Sequence, residues 1–340
     1  MKARALAGWG ALLGAAAVGL AALAAPAAYR WDLPKGIAPP PVPADNPMTA
    51  AKVELGHRLF YDADLSIDGT LACAGCHGQH RAFSESNATH PGVRGAAGRR
   101  NVMTLSNVGY YGVLTWGDPG LKTLEAQVLV PTTGEHPIEM GMKGQEAELA
   151  RRLGADACYR KMFAAAFPGR KGAIGMDTVA LALAAFERTL VSFRSDYDRQ
   201  ALSEPARRGE HLFFGPRFAC ASCHTAPLFT DAGAADPLVA FHRIEPANGS
   251  DRGLAEITRK PEDAGRFRTP SLRNVALSPP YLHDGSAKTL PDAIRRHEQA
   301  GAMTEAEMDD LVAFLGGLTD RAFVTDPRFA LPRTRCGKRL

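Results

Sequence analysis

The chain has 340 residues, 45% hydrophobic and 22% charged, with a formal net charge of +4. This is globular composition, long enough for two domains with buried cores. A charge so small, with no basic run interleaved with aromatics, excludes a nucleic-acid-binding protein.

Met1, Lys2 and Arg4 precede an apolar run from Ala5 to Ala25 and then "APAAYRWD", the pattern of a secretory signal peptide over residues 1–28. An uncleaved anchor is the alternative, because the run is at the short end of spanning length. Either way the body of the protein is expected outside the cytoplasm, in the periplasm, with no stable membrane span once the peptide is cleaved. Residues 29–47 include "PKGIAPPPVPADNP", a proline-rich linker and tether that suits neither helix nor sheet ladder. Export permits disulfides. Of six cysteines, four fall in two Cys-x-x-Cys-His units, and the sequence leaves open whether Cys158 and Cys336 pair.

The first unit is Cys73, Cys76 and His77 in "LACAGCHGQH"; the second is Cys220, Cys223 and His224 in "FACASCHTAP". Two thiols followed at once by an imidazole are the unit that attaches a c-type haem. The cysteines form thioethers and the histidine reaches the iron as proximal ligand. A four-cysteine zinc site wants its second pair about 15–20 residues after the first, and the separation here is far longer. A thioredoxin-like pair needs no adjacent histidine. Two covalently bound haems are therefore expected, with His77 and His224 as iron ligands.

The surroundings of the units also repeat. "GHRLFY" (Gly56 to Tyr61) matches "GEHLFF" (Gly209 to Phe214), "FSE" matches "FTD", and "TLSNV" (Thr104 to Val108) matches "SLRNV" (Ser271 to Val275). Nine residues past each asparagine come Trp116 and His283, and "KTL" then recurs at Lys122 and Lys288. Matches in constant order point to duplication. The expected fold is mainly α, with two cytochrome c-like haem domains, residues 48–204 N-terminal and residues 205–325 C-terminal. "DTVALALAAFERTLVSFRS" has helical apolar spacing and reads as a connecting core helix. Residues 326–340 read as a mobile tail.

The two halves differ where a sixth iron ligand would lie. "PDAIRRHEQAG" reads as an amphipathic helix placing His297 seven residues past Leu290, two turns down one face. Seven past the matching Leu124 is Pro131, which is expected to end its helix and has no donor atom for iron. The second haem is thus expected to be closed by His224 and His297, with Met303 and Met308 as rivals for the distal place. The first keeps an open position where peroxide or oxygen can react, so the N-terminal domain is expected to be peroxidatic and the C-terminal domain electron-transferring.

From about Leu55 to Leu318 the chain resembles the bacterial di-haem cytochrome c peroxidases and MauG-like enzymes. The resemblance rests on "LGHRLFYDADLS", "ACAGCH", "TLEAQ", "HPIEMGM", "FACASCH", "GRFRTPSLRNVALSPPYLHDGSAKTL" and "LVAFLGGLT". More narrowly, "LTWGDPGLKTLEAQVLVPTTGEHPIEMGM" is similar to the MbnH group, found with methanobactin and copper-handling operons. The resemblance implies Glu139 as the distal acid/base, with Gln127 beside it, and Trp116 as a relay between the haems. A carboxylate at an open haem suits proton delivery to the leaving oxygen. It further implies His283 as an inter-haem histidine contacting the cofactor, and Asn101 with carbonyls near Thr269 and Ser271 at a calcium ion between the domains. Neutral oxygens suit that hard cation.

Classical members place a displaceable histidine on the first haem where this chain has Val93; His90 lies three residues earlier. That favours a constitutively open first haem. MauG-like relatives have tyrosine, and classical peroxidases methionine, near the place of His297, so a bis-histidine second haem agrees with the MbnH likeness.

The implied activity is a periplasmic di-haem oxidoreductase that uses hydrogen peroxide, or oxygen plus electrons, to reach a high-valent haem state and oxidise a partner. The narrower likeness implies a tryptophan of an MbnP-like copper-binding protein, converted to kynurenine. A peroxide scavenger fed by a small cytochrome or cupredoxin is the first alternative. A non-catalytic electron carrier is the second, and Glu139 and the missing first-half ligand argue against it.

Overall fold

In the computed structural model, which describes residues 27–95, 97–243, 250–336 and 338–339, two helix pairs crossing at glycine organise the chain. All but the last two residues of the expected signal peptide lie outside the described residues. The first half holds α1 (Ala50–Phe60), α2 (Cys73–Cys76), α3 (Leu124–Thr133), α4 (Glu146–Ala155), α5 (Ala157–Ala166) and α6 (Met176–Glu187). The second holds α7 (Glu204–Phe214), α8 (Ala255–Thr258), α9 (Leu290–Ile294), α10 (Glu305–Gly317) and α11 (Arg321–Thr325). Sheet is minor: β1 (Phe241–Arg243) pairs antiparallel with β2 (Arg266–Arg268), and β3 (Thr334–Arg335) with β4 (Lys338–Arg339). The fold is mainly α, as expected. No described helix is long and apolar enough to cross a membrane.

Local chemistry sets the helix starts. Ser203 accepts from the Ala206 amide with Pro205 in the first turn of α7, and Thr304 and Glu307 form a reciprocal capping box on α10. α1 then packs on α6, and α7 on α10. A Cβ at Gly56 would lie 1.9 Å from Ala182 O, and one at Gly209 would lie 1.9 Å from Asp310 O. Only glycine allows either approach. Around the crossings the buried residues are Leu55, Leu59, Phe60 and Phe186 in one half and Phe213, Phe229 and Phe314 in the other.

Asn107 and Asn274 close the two units alike, both with left-handed backbone (φ 60° and 61°) and both buried. Asn107 N–H donates to Leu190 O and its Oδ1 accepts from Ser192 N–H. Asn274 N–H donates to Leu318 O and its Oδ1 accepts from Asp320 N–H. Each asparagine therefore fastens the segment leaving a closing helix, α6 or α10. α6 is the buried core helix expected, and the segment leaving it reaches the second half: Ser192 Oγ and Arg194 N–H donate to Asp320 Oδ2, and Asn274 Nδ2 donates to Ser192 Oγ.

Two expectations are corrected. The segment 29–47 is fastened to the body: the Asn46 side chain donates to Glu125 Oε1 and Leu181 O, and Tyr110 Oη donates to Ala38 O. The C-terminal stretch also packs inward. Phe323 and Phe329 join the first-half core, their rings 5.6 and 6.4 Å from that of Phe83. Tyr61 Oη donates to Phe329 O, and a Cys158–Cys336 disulfide ties the stretch to α5.

Gly209→Ala forces backbone against backbone and is expected to lower the unfolding free energy by about 1–3 kcal/mol or more. Gly316→Ala on α10, where an added Cβ meets nothing within 4 Å, is expected to be neutral or to stabilise by up to ~1 kcal/mol. Denaturant titration of the haem-loaded protein checks the pair, and equal effects would mean the crossing distance is not the constraint.

Candidate haem sites

The second half brings two imidazoles together, tilted by 57° to one another. Cys220–Ser222 form a 3-10 turn entered through the left-handed backbone of Ala219, and His224 follows. Its Nδ1 lies 3.2 Å from Phe229 O, the carbonyl of a residue with positive φ. His297 arrives by a different route from the one its register suggests. α9 ends at Ile294, and His297 has extended backbone (φ −90°, ψ 126°) beyond it. Its Nδ1 folds back to within 3.1 Å of Ala293 O and 3.3 Å of Ile294 O, the last carbonyls of α9. The helix is shorter than expected because its end is capped by the histidine itself.

With both Nδ1 atoms engaged by carbonyls, the Nε2 atoms remain for a metal, the usual arrangement for ligating histidines. The ring centroids are 6.3 Å apart. Two metal–imidazole bonds of about 2 Å, plus about 1.1 Å from each nitrogen to its ring centre, require roughly 6.2 Å. Burial, reinforced by His297, pushes His224 down to about 4, and burial also lowers His297. Both imidazoles are therefore neutral at neutral pH, the form that can ligate a metal. A cavity of about 610 Å³ opens around Cys220, Cys223, His224 and His297. The residues fit a c-type haem.

His77 repeats half of this design. α2 carries both cysteines, and His77 Nδ1 is 2.8 Å from the carbonyl of Phe83, again at positive φ. Burial lowers His77 below the ordinary imidazole range. Among the described residues no ring is paired with His77 as His297 is with His224. Pro131 does not end α3, which runs on to Thr133; near the last turn the missing N–H is tolerated. The Pro131 carbonyl instead accepts from Met140 N–H, Thr132 O accepts from Met142 N–H, and Glu139 O accepts from Val93 N–H at 2.7 Å. The loop carrying Glu139 is thus pinned on both sides.

Glu139 is half-buried, and desolvation holds its carboxyl above the usual range against the pull of His90. Its charge is felt at Cys76. Gln127 lies one turn before Pro131 on α3, partly exposed. Val93 is buried and offers no ligand atom. His90 Nδ1 is held by the buried Glu85 at 2.5 Å.

Between the halves, Trp116 Nε1 donates to Asn101 O at 2.8 Å, and Trp116 O accepts from Arg268 N–H. Asn101 N–H donates to His283 O, and the His283 ring stacks on Phe267 at 3.6 Å. Trp116 and His283 both line the cavity that holds His224. So do Asn101, Thr269 and Ser271. Yet Asn101 Nδ2 donates to Asn87 O and Ala88 O, Thr269 O already accepts from Thr230 Oγ1, and Ser271 Oγ donates to Leu228 O.

Sequence reasoning missed a pairing that the repeat contained. In "FSE" and "FTD" the phenylalanine carbonyl orients the proximal histidine. The hydroxyl donates across the core, Ser84 to Val102 O and Thr230 to Thr269 O. The acid holds a second histidine, Glu85 with His90 and Asp231 with His242 at 2.6 Å. His242 Nδ1 also lies 3.7 Å from Cys223 Sγ. Cys223, Asp231 and His242 are close enough to hold a metal ion, but a thioether at Cys223 leaves only a His–Asp pair at the cofactor's edge.

A family model for di-haem cytochrome c peroxidase matches residues 50–207. Cytochrome-c peroxidase IdrP1 of Denitromonas iodatirespirans is 34% identical over 93% of this chain and 94% of its own length. Methylamine utilization protein MauG of Methylophilus methylotrophus is 33% identical over 81% of this chain and 80% of its own. A solved structure of a MauG-like protein associated with microbial copper homeostasis is 40% identical, with a TM-score of 0.84 over 90% of this chain and 99% of its own.

In the haem-loaded protein His297→Ala is expected to abolish the low-spin ferric signal in low-temperature EPR, while His90→Ala leaves the high-spin signal intact. A low-spin signal surviving His297→Ala would remove His297 as a ligand.

Proposed function

Because this chain belongs to the di-haem cytochrome c peroxidase and MauG family, a family of di-haem oxidoreductases, we propose that it cleaves peroxide opposite His77 and directs the oxidising equivalents to a partner protein. The observation that carries this reading is the asymmetry of the two halves: the imidazoles of His224 and His297 are paired, whereas among the described residues no ring is paired with His77, and the first half has instead a pinned carboxyl, Glu139, whose charge is felt at Cys76. When bound, the two c-type haems supply the iron coordination and the electrons. Glu139 takes the proton from one peroxide oxygen and returns it to the other, which departs as water. Gln127 orients the peroxide beside it. Trp116, anchored at its indole N–H by Asn101 and at its carbonyl by Arg268, bridges the two sites. His297 keeps the second site closed to peroxide.

The partner we assign is an MbnP-like copper-binding protein in the periplasm, oxidised at a tryptophan to kynurenine. Two things support this: the "LTWGDPGLKTLEAQVLVPTTGEHPIEMGM" stretch and the 40% likeness to a MauG-like protein associated with microbial copper homeostasis. Exposed Leu129, Val130 and Ile138 flank the Glu139 loop and give such a partner an apolar landing beside it. The likeness to cytochrome-c peroxidases keeps a second reading, reduction of peroxide to water with a small cytochrome or cupredoxin as donor. Stoichiometric peroxide with the copper-binding partner, followed by mass spectrometry of the partner's tryptophans, separates the two. Rapid turnover of reduced cytochrome c with an unchanged partner would overturn the first.

Glu139→Gln is expected to slow the peroxide reaction by about 10²–10⁴-fold, with the low-spin EPR signal unchanged. In the native enzyme the rate should rise with pH through a pKa above the ordinary 4.5 of a glutamate, since the ionised form accepts the first proton. Stopped-flow rates across pH check both, and a persisting acid limb in Glu139→Gln would assign the proton transfer elsewhere.

A further inference from the structure

Among the described residues, three deeply buried arginines fall into two kinds. Arg188 is paired with Glu125 at 2.7 Å, and Arg273 with Asp198 through both Nη atoms at 2.8 and 2.9 Å. Arg268, only 4% exposed, forms no ion pair among the described residues, and its Nε has no hydrogen-bond partner. What it does touch is neutral: Nη2 lies 2.8 Å from Met103 Sδ, Nη1 lies 3.4 Å from Val113 O, and the guanidinium sits over the Tyr111 ring at 5.5 Å. The titratable groups facing it are the Tyr111 phenol, kept neutral by burial, and Asp231, felt at longer range with Oδ2 on His242 and Oδ1 without a hydrogen-bond partner. Burial pushes Arg268 down to about 10. An unpaired buried guanidinium is costly unless an anion completes it.

Arg268 also lines the cavity that holds Cys220, His224 and His297. The anion missing from its surroundings must therefore belong to what fills that cavity, and a protoporphyrin carries two propionate carboxylates. Planar, forked donors suit a carboxylate better than any neighbour Arg268 now has. We infer that Arg268 is the propionate anchor of the second haem, a carboxylate-binding residue that holds the porphyrin edge beside Trp116. Its main-chain N–H is already on Trp116 O at 2.9 Å, so one residue joins the carboxylate to the bridging indole. The inference rests on the haem seat at His224 proposed above.

The guanidinium neutralises the carboxylate and so disfavours the more positive ferric state. In haem-loaded Arg268→Met the midpoint potential of the low-spin haem is expected to fall by about a tenfold change in ferric-to-ferrous ratio at fixed potential, which is about 59 mV for one electron. Arg268→Lys, which keeps the charge, is expected to recover most of the shift. Spectroelectrochemistry with EPR assignment of each haem reads both variants. Equal potentials in Arg268→Met and the native protein would overturn the inference, as would a shift confined to the high-spin haem. A native protein without a low-spin haem would instead count against the seat itself.

Discussion

The bond on which both sites depend is the one between a proximal imidazole Nδ1 and a phenylalanine carbonyl, His77 with Phe83 and His224 with Phe229. It fixes the tautomer, so Nε2 is left as the ligand atom, and it fixes the ring plane. Both phenylalanines that present this carbonyl have positive φ, 61° and 54°. That conformation is unfavourable for a bulky L-residue. Core packing sustains it: both side chains are fully buried, Phe83 among Phe60, Phe323 and Phe329, and Phe229 among Phe213, Tyr197 and Phe314. The aromatic core and the orientation of the candidate haem-ligating imidazole are thus set by the same residue.

Duplication explains why both halves share this device, and one register position shows how they diverged. In the second half α9 stops at Ile294 and His297 caps it while facing His224. In the first half α3 continues past the corresponding place, and Pro131 spends its carbonyl on the loop of Glu139. A position that holds an imidazole in one copy docks a carboxyl-bearing loop in the other. The chemistry differs because the backbone there was reassigned, with the scaffold of crossing helices kept.

Much of this was legible in the sequence. The Cys-x-x-Cys-His units, the helical class and the in-order repeats all follow from residue type and spacing. What spacing could not give is where a helix stops: α9 is ended by hydrogen bonds from a side chain beyond it, and α3 survives a proline in its last turns. The roles of the serine or threonine and the acid in each triplet were also hidden, since their partners lie across the core or on loops of unequal length, five residues on for His90 and eleven for His242. Arg268 looked like one basic residue among many. Only its lack of a carboxylate, against the pairing of Arg188 and Arg273, sets it apart.

The inward packing of Phe323 and Phe329 has a consequence for how the molecule comes into being. The first half's core includes side chains made about 250 residues after His77, and Gln79, in the loop that orients this histidine, donates to the equally late Asp326 O. The N-terminal half emerges early during synthesis yet cannot be completed until nearly the whole chain has been delivered. The two copies therefore no longer behave as separable modules. Cutting or fusing the chain near residues 320–336 acts on the site at His77, the one farthest from it in sequence, and the Cys158–Cys336 bond locks that dependence in place once formed.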